Sequence, residues 1–195
     1  ITNGALDGTG TVGNVTIANL ATNNVTNGGG VTTYPLTIGN LTFSGAGSVT
    51  PVTANAATTG INATNITASG IVTVNASKPS WATGTYKMVG YTGSLTGFAN
   101  FQVGTISGLS TRQSPGVTLA NSGTSIDLVV PNGDIAWRGN GSNQWNTTNS
   151  NWFFNGTSTQ FAATGETVLF DDTATAVGSD VVDITAADVT PVGVT

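Results

Sequence analysis

The feature that most constrains this chain is a short phrase that returns at nearly constant spacing. Asn14-Val15-Thr16-Ile17 is followed by Asn40-Leu41-Thr42-Phe43 and, after a nearly equal step, by Asn65-Ile66-Thr67-Ala68. A second echo sets Gly47-Ser48-Val49-Thr50 against Gly70-Ile71-Val72-Thr73, after a slightly shorter step. A period in the twenties is what one coil of a β-solenoid needs, because each repeat buries its apolar face only against its neighbours. Within each Asn-x-Thr phrase polar and apolar side chains alternate, the two-residue period of a strand with one buried face.

Helical periodicity is almost absent elsewhere. The patterns predict strands at Val12–Ile17, Leu36–Phe43, Ile71–Val74, Tyr86–Tyr91, Phe101–Ile106, Val117–Leu119, Ile126–Val130, Thr167–Phe170 and Val181–Ile184. Each is short and bounded by turn-forming residues. Asn-Gly pairs at Asn3, Asn27, Asn132, Asn140 and Asn155 favour turns that need positive φ. The 36 Thr suit a pleated surface, and the 20 Asn and 27 Gly suit turns. Pro131-Asn132-Gly133-Asp134 is the strongest internal turn, so the chain is read as a solenoid-like repeat region, residues 1–130, and a Trp/Phe/Asp-rich β segment, residues 131–195.

Charge narrows the function. Only 7% of residues are charged, with four cations against nine acids. Nucleic acid is therefore not an expected partner, since phosphate binding needs clustered Lys and Arg. No Cys or His is present, which removes disulfides and thiolate or imidazole metal sites. It also removes the commonest general bases and nucleophiles, so no enzyme activity and no cofactor are expected. No apolar run is long enough for a membrane-spanning helix. The chain opens at Ile1 without a signal-like segment, as expected of a piece of something longer.

Three groups of residues are candidate sites. Trp137, Trp145 and Trp152 sit close together, followed by Phe161 and Phe170. They form either a local core or a stacking platform for sugars, and the core is the expectation. Six of the nine acids fall between Glu166 and Asp188. Asp171, Asp172, Asp180 and Asp183 are hard oxygen ligands of the type Ca²⁺ takes, but their spacing matches no Ca²⁺ loop, so a solvated edge is preferred and no metal is expected. Asn-x-Ser/Thr occurs nine times, from Asn14 to Asn155. Composition alone supplies about five such sequons, so glycosylation is open.

The second half also carries a family likeness. Tyr86-Lys-Met-Val-Gly-Tyr91, Ile126-Asp-Leu-Val-Val130, Ile135-Ala-Trp-Arg-Gly139, Gln144-Trp-Asn-Thr147, Asn151-Trp152 and Thr167-Val-Leu-Phe-Asp-Asp172 follow one another in a familiar order. This string resembles the autotransporter-associated β-strand repeat of giant bacterial surface proteins, over residues of roughly 80–190. The resemblance implies a β-helical passenger, display at the cell surface, and a role in adhesion, fibres or matrix. It carries over no catalytic residue.

The resulting expectation is an all-β fold, a right-handed parallel β-solenoid with a hairpin-rich aromatic segment; two β-sandwich domains are the alternative. The expected function is a non-catalytic extracellular module of a bacterial fibre or adhesin, with a carbohydrate-binding module using Trp137, Trp145 and Trp152 as the alternative. Its partners would be copies of itself, as homopolymer or tandem modules, and surface glycans. Val189, Val192 and Val194 are the expected assembly strand, because a solenoid's end strands leave backbone groups unpaired.

Overall fold

A computed structural model describes residues 4–18, 24–26, 35–52, 59–162, 166–174, 181–185 and 189–195. The fold is all-β, a β-solenoid of about 6 turns built mostly from parallel pairings. Contacts divide the chain into two compact units, Ile1–Leu109 with Gly116–Pro131 and Ser110–Pro115 with Asn132–Thr195. The segment Ser110–Pro115 thus packs with the later residues although it precedes the turn at Pro131.

In the first unit the strands are β1 (Ala5–Leu6), β2 (Gly10–Val12), β3 (Val15–Ile17), β4 (Asn24–Thr26), β5 (Leu36–Phe43), β6 (Gly47–Thr50), β7 (Ile61–Ala68), β8 (Val72–Ser77), β9 (Gly84–Tyr91), β10 (Leu95–Thr96), β11 (Phe101–Ser107), β12 (Thr118–Asn121) and β13 (Ser125–Val130). The chain alternates between two sheets. One has the order β1-β4-β6-β8-β11, and the other runs β12-β13-β9-β7-β5-β2, with β3 on β5 and β10 on β7. The pairings from β1 to β11 are parallel. This rules out the sandwich alternative, whose sheets are antiparallel.

The register explains the sequence period. Asn40 pairs with Asn65 and Val15 with Leu41, so each return of the Asn-x-Thr phrase is one coil. Like therefore stacks on like at the parallel-strand spacing of about 4.8 Å. Val15, Leu41, Ile66 and Leu95 form one apolar column, and Val25, Val49, Val74 and Val103 form another. The side chains of Val25, Ile38, Phe43, Val49, Ile61, Ile66, Val72 and Val74 are wholly buried. Phe43 meets Phe101 edge-on at 6.1 Å, a favourable ring geometry.

The second echo does not describe the register. Gly47 pairs with Val72 and not with Gly70. Slipping by two residues leaves the same side chains facing in, which is why the echo looked plausible from alternation alone. One tight turn sets the spacing of the next coil: Gly97 has φ 81°, and a Cβ there would stand 2.0 Å from the Ala68 carbonyl oxygen. Beyond it, the β12–β13 hairpin adds to β9 in antiparallel sense and ends the parallel run in that sheet.

The second unit holds β14 (Ile135–Trp137), β15 (Trp152–Phe154), β16 (Thr157–Thr159), β17 (Thr167–Leu169) and β18 (Gly193–Val194), in the order β16-β15-β14-β17-β18. β14, β15 and β16 pair antiparallel, whereas β14-β17 and β17-β18 are parallel. The expected hairpin-rich aromatic segment is this arrangement. Asn155 and Gly156 form its β15–β16 turn with φ 48° and 84°, as an Asn-Gly type I′ turn requires. Val181–Ile184, predicted as a strand, contributes a single parallel bridge between Asp183 and Gln144. The turn-forming Asn27-Gly28 lies outside the described residues.

Candidate functional site

Two features of the first unit and four of the second bear on function. In the first unit the recurring asparagines form a side-chain ladder along the coils. Asn40 Nδ2 donates to Asn14 Oδ1 at 2.8 Å, and Asn65 Nδ2 donates to Asn40 Oδ1 at 2.8 Å. The ladder ends at Ser94, whose N–H and hydroxyl both donate to Asn65 Oδ1. The sequon asparagines Asn14, Asn40 and Asn65 are thus engaged between coils, which gives the Asn-x-Thr phrase a structural cause.

The second feature is an open edge. β1 ends one sheet, while β2 and β3 lie on only β5 in the other. Among the described residues no further strand pairs with them on their outer side. Val12 and Val15 remain half-buried there, unlike their fully buried equivalents Ile38 and Leu41.

In the second unit the aromatic residues form a core. Trp137, Trp145, Trp152 and Phe161 are buried, with Phe170 packed against them. Ring centroids lie 5.1 Å apart for Trp137–Trp152, 4.9 Å for Trp145–Trp152 and 5.3 Å for Trp145–Phe161. These rings cover one another's faces, and a sugar needs an exposed face on which to stack. The indole N–H groups of Trp145 and Trp152 have no acceptor among the described residues, an energetic cost carried inside this cluster.

The acids do not converge. Asp171 pairs with Arg138 at 2.9 Å and accepts hydrogen bonds from the Thr173 hydroxyl and N–H. The Thr173 bonds, with the Arg138 guanidinium, hold the Asp171 carboxyl below the usual carboxylate range. Asp183 accepts from the Thr185 hydroxyl at 2.6 Å and from its N–H, which lowers it in the same way. Asp180 lies outside the described residues. Among the described residues no three acids stand together as metal ligands, Asp171, Asp172 and Asp183 included.

Sequence reasoning missed two polar centres. Glu166, read only as one acid of a cluster, is fully buried and paired with Arg112. It also accepts the Ala162 N–H at 2.7 Å, while Arg112 donates to Gln160 O at 2.7 Å and lies over the Phe154 ring. Arg112 lines an open cleft of about 610 Å³ with Thr147, Ser150, Ser158, Thr159 and Gln160. Asn151, also fully buried, accepts the N–H groups of Gly141 and Ser142 and donates to Gln144 O, which holds the Trp137–Trp152 loop closed. A separation of 54 residues between Arg112 and Glu166 leaves no local signal.

The expected assembly strand is divided. Val194 lies in β18, paired with Val168 of β17 on one side. Val192 and Val194 are exposed, whereas Val189 is half-buried and packs against the aromatic core. Among the described residues no helix is long and apolar enough to cross a membrane. The chain matches no protein-family model, no curated protein and no solved structure.

Proposed function

We propose that this chain is a non-catalytic structural module of an extracellular bacterial fibre or adhesin, working by stacking with neighbouring modules. The observation that carries this reading is the coil stack itself, in which no further strand follows β1, β2 and β3 among the described residues. An unpaired parallel edge templates a further strand. A head-to-tail contact of that kind propagates into a filament unless it closes on itself. The β18 edge, with Val192 and Val194 exposed, supports a separate contact of the second unit. Low charge fits as well, since ladders of neutral Asn and Thr side chains bring stacked coils together without like-charge repulsion.

The resemblance to the autotransporter-associated β-strand repeat supports surface display and tandem arrangement. Negative-stain microscopy and light scattering of the native material test the reading. Elongated or filamentous particles are the expected result. A compact monomer at every concentration, from a parent protein retained inside the cell, would overturn it.

A further inference from the structure

Three asparagines of the first unit are met by the following coil in the same way. Asn14 Oδ1 accepts the backbone N–H of Asn40 at 3.1 Å, Asn65 Oδ1 that of Ser94 at 2.8 Å, and Asn75 Oδ1 that of Thr105 at 2.8 Å. The residue before each donor is a glycine: Gly39, Gly93 and Gly104. A Cβ at those glycines would stand 3.0, 2.3 and 2.2 Å from the carboxamide oxygen. Glycine is therefore what lets the backbone close onto the asparagine of the coil before it. Where Thr64 stands instead, Asn65 reaches Asn40 Oδ1 through its longer side-chain Nδ2.

Gly13-Asn14 is the same receiving pair, in register with Gly39-Asn40, since the Gly39 N–H donates to Gly13 O at 3.0 Å. Yet among the described residues a Cβ on Gly13 would meet nothing within 4 Å, and Gly13 is not among the glycines with positive φ. Asn14 accepts from Asn40, but among the described residues its own N–H and Nδ2 donate to nothing. In Asn40 those two groups are the donors that hold the preceding asparagine.

We propose that Gly13-Asn14 is a socket for the side-chain carboxamide of an asparagine on an incoming parallel β-strand. The occupant is a coil from another module of the same kind, with the pattern Asn-apolar-Thr-apolar seen in β5 and β7. A second copy docked through β18 does not fit, because Gly193–Val194 offers no carboxamide. The proposal deepens the structural-module reading and rests on it: it names the partner chemistry of the open edge.

The test uses the full chain, labelled for NMR, and a peptide with the sequence of Ile61–Ala68. The peptide should shift the backbone and side-chain amide signals of Asn14. Its Asn65→Ala form should bind about tenfold more weakly, the effect of losing a pair of modest hydrogen bonds. Gly13→Val should keep the melting temperature, since its side chain enters open space, and should lose the peptide. Equal binding of the two peptides, unchanged binding by Gly13→Val, or no response at millimolar peptide would overturn the socket. Self-association without peptide that Gly13→Val abolishes would overturn the choice of occupant in favour of a second copy. Filaments that form equally well with Gly13→Val, with no peptide response, would overturn the socket and leave the structural-module reading standing.

Discussion

Replacing Trp152 with alanine separates the two readings of the aromatic cluster. The ring is fully buried, with centroids 4.9 Å from Trp145, 5.1 Å from Trp137, 5.6 Å from Phe170 and 6.0 Å from Phe161. An aromatic side chain of this kind buries roughly 150–250 Å², which at about 25 cal/mol per Å² amounts to about 4–6 kcal/mol. Against this stands the Nε1–H, which lacks an acceptor among the described residues and costs about 1–3 kcal/mol. The net loss for Trp152→Ala is then about 3 kcal/mol, within a range of about 1–5, a large share of the stability of a small folded unit. Trp152→Phe keeps a ring and removes the orphaned donor, so it should cost less than about 2 kcal/mol. Urea unfolding followed by tryptophan fluorescence measures both, because three of the four tryptophans lie in the second unit. An alanine variant with unchanged stability would refute the core argument. The same variant losing glycan binding would restore the sugar platform.

Gly97→Ala should destabilise the first unit by about 2 kcal/mol or more, since it combines a left-handed backbone with a clash at the Ala68 carbonyl; thermal melting reads the loss. Arg112→Leu should cost about 3–5 kcal/mol by leaving the buried Glu166 unpaired, and adding Glu166→Leu should recover part of it in a double-mutant cycle. Acid should weaken the second unit through Asp171 and Asp183. Both carboxyls are held below their usual range, so their stabilisation is present above the unfolded value of about 4 and is lost as pH falls through the folded one. Melting temperature measured against pH should therefore decline below about 4, and less steeply in Asp171→Asn.

Much of the first unit was legible because its stack translates sequence period directly into register. Asn14, Asn40 and Asn65 recur at the coil length, and their side chains touch for that reason. β7 was harder to see: Ile61-Asn-Ala-Thr-Asn-Ile-Thr-Ala68 has few large apolar side chains, because its neighbours β5 and β9 supply the bulk of the core there. The aromatic core announced itself by the clustering of Trp137, Trp145 and Trp152. The Arg112–Glu166 pair and the hub at Asn151 did not, since both depend on chain folding that no local spacing records. Val181–Ile184 misled for a related reason, as alternation was present but among the described residues its strand pairing is the one bridge at Asp183. At Gly13 the sequence carried a signal that became readable only once Gly39, Gly93 and Gly104 showed what a glycine in that position receives.

The central claim is that coils add along one axis, each bearing on the next. Duplicating residues 36–60 within the chain inserts one whole coil, by the pairing of Leu36 with Ile61. Urea unfolding of that variant tests the claim most directly. A stack of nearest-neighbour coils should accept the insertion, unfold cooperatively, and show a higher midpoint and a steeper slope, because more surface is buried. Inserting only residues 36–47, about half a coil, should disrupt the register and lower the midpoint. A whole-coil duplication that unfolds the protein, or that behaves no better than the half-coil insertion, would contradict the account.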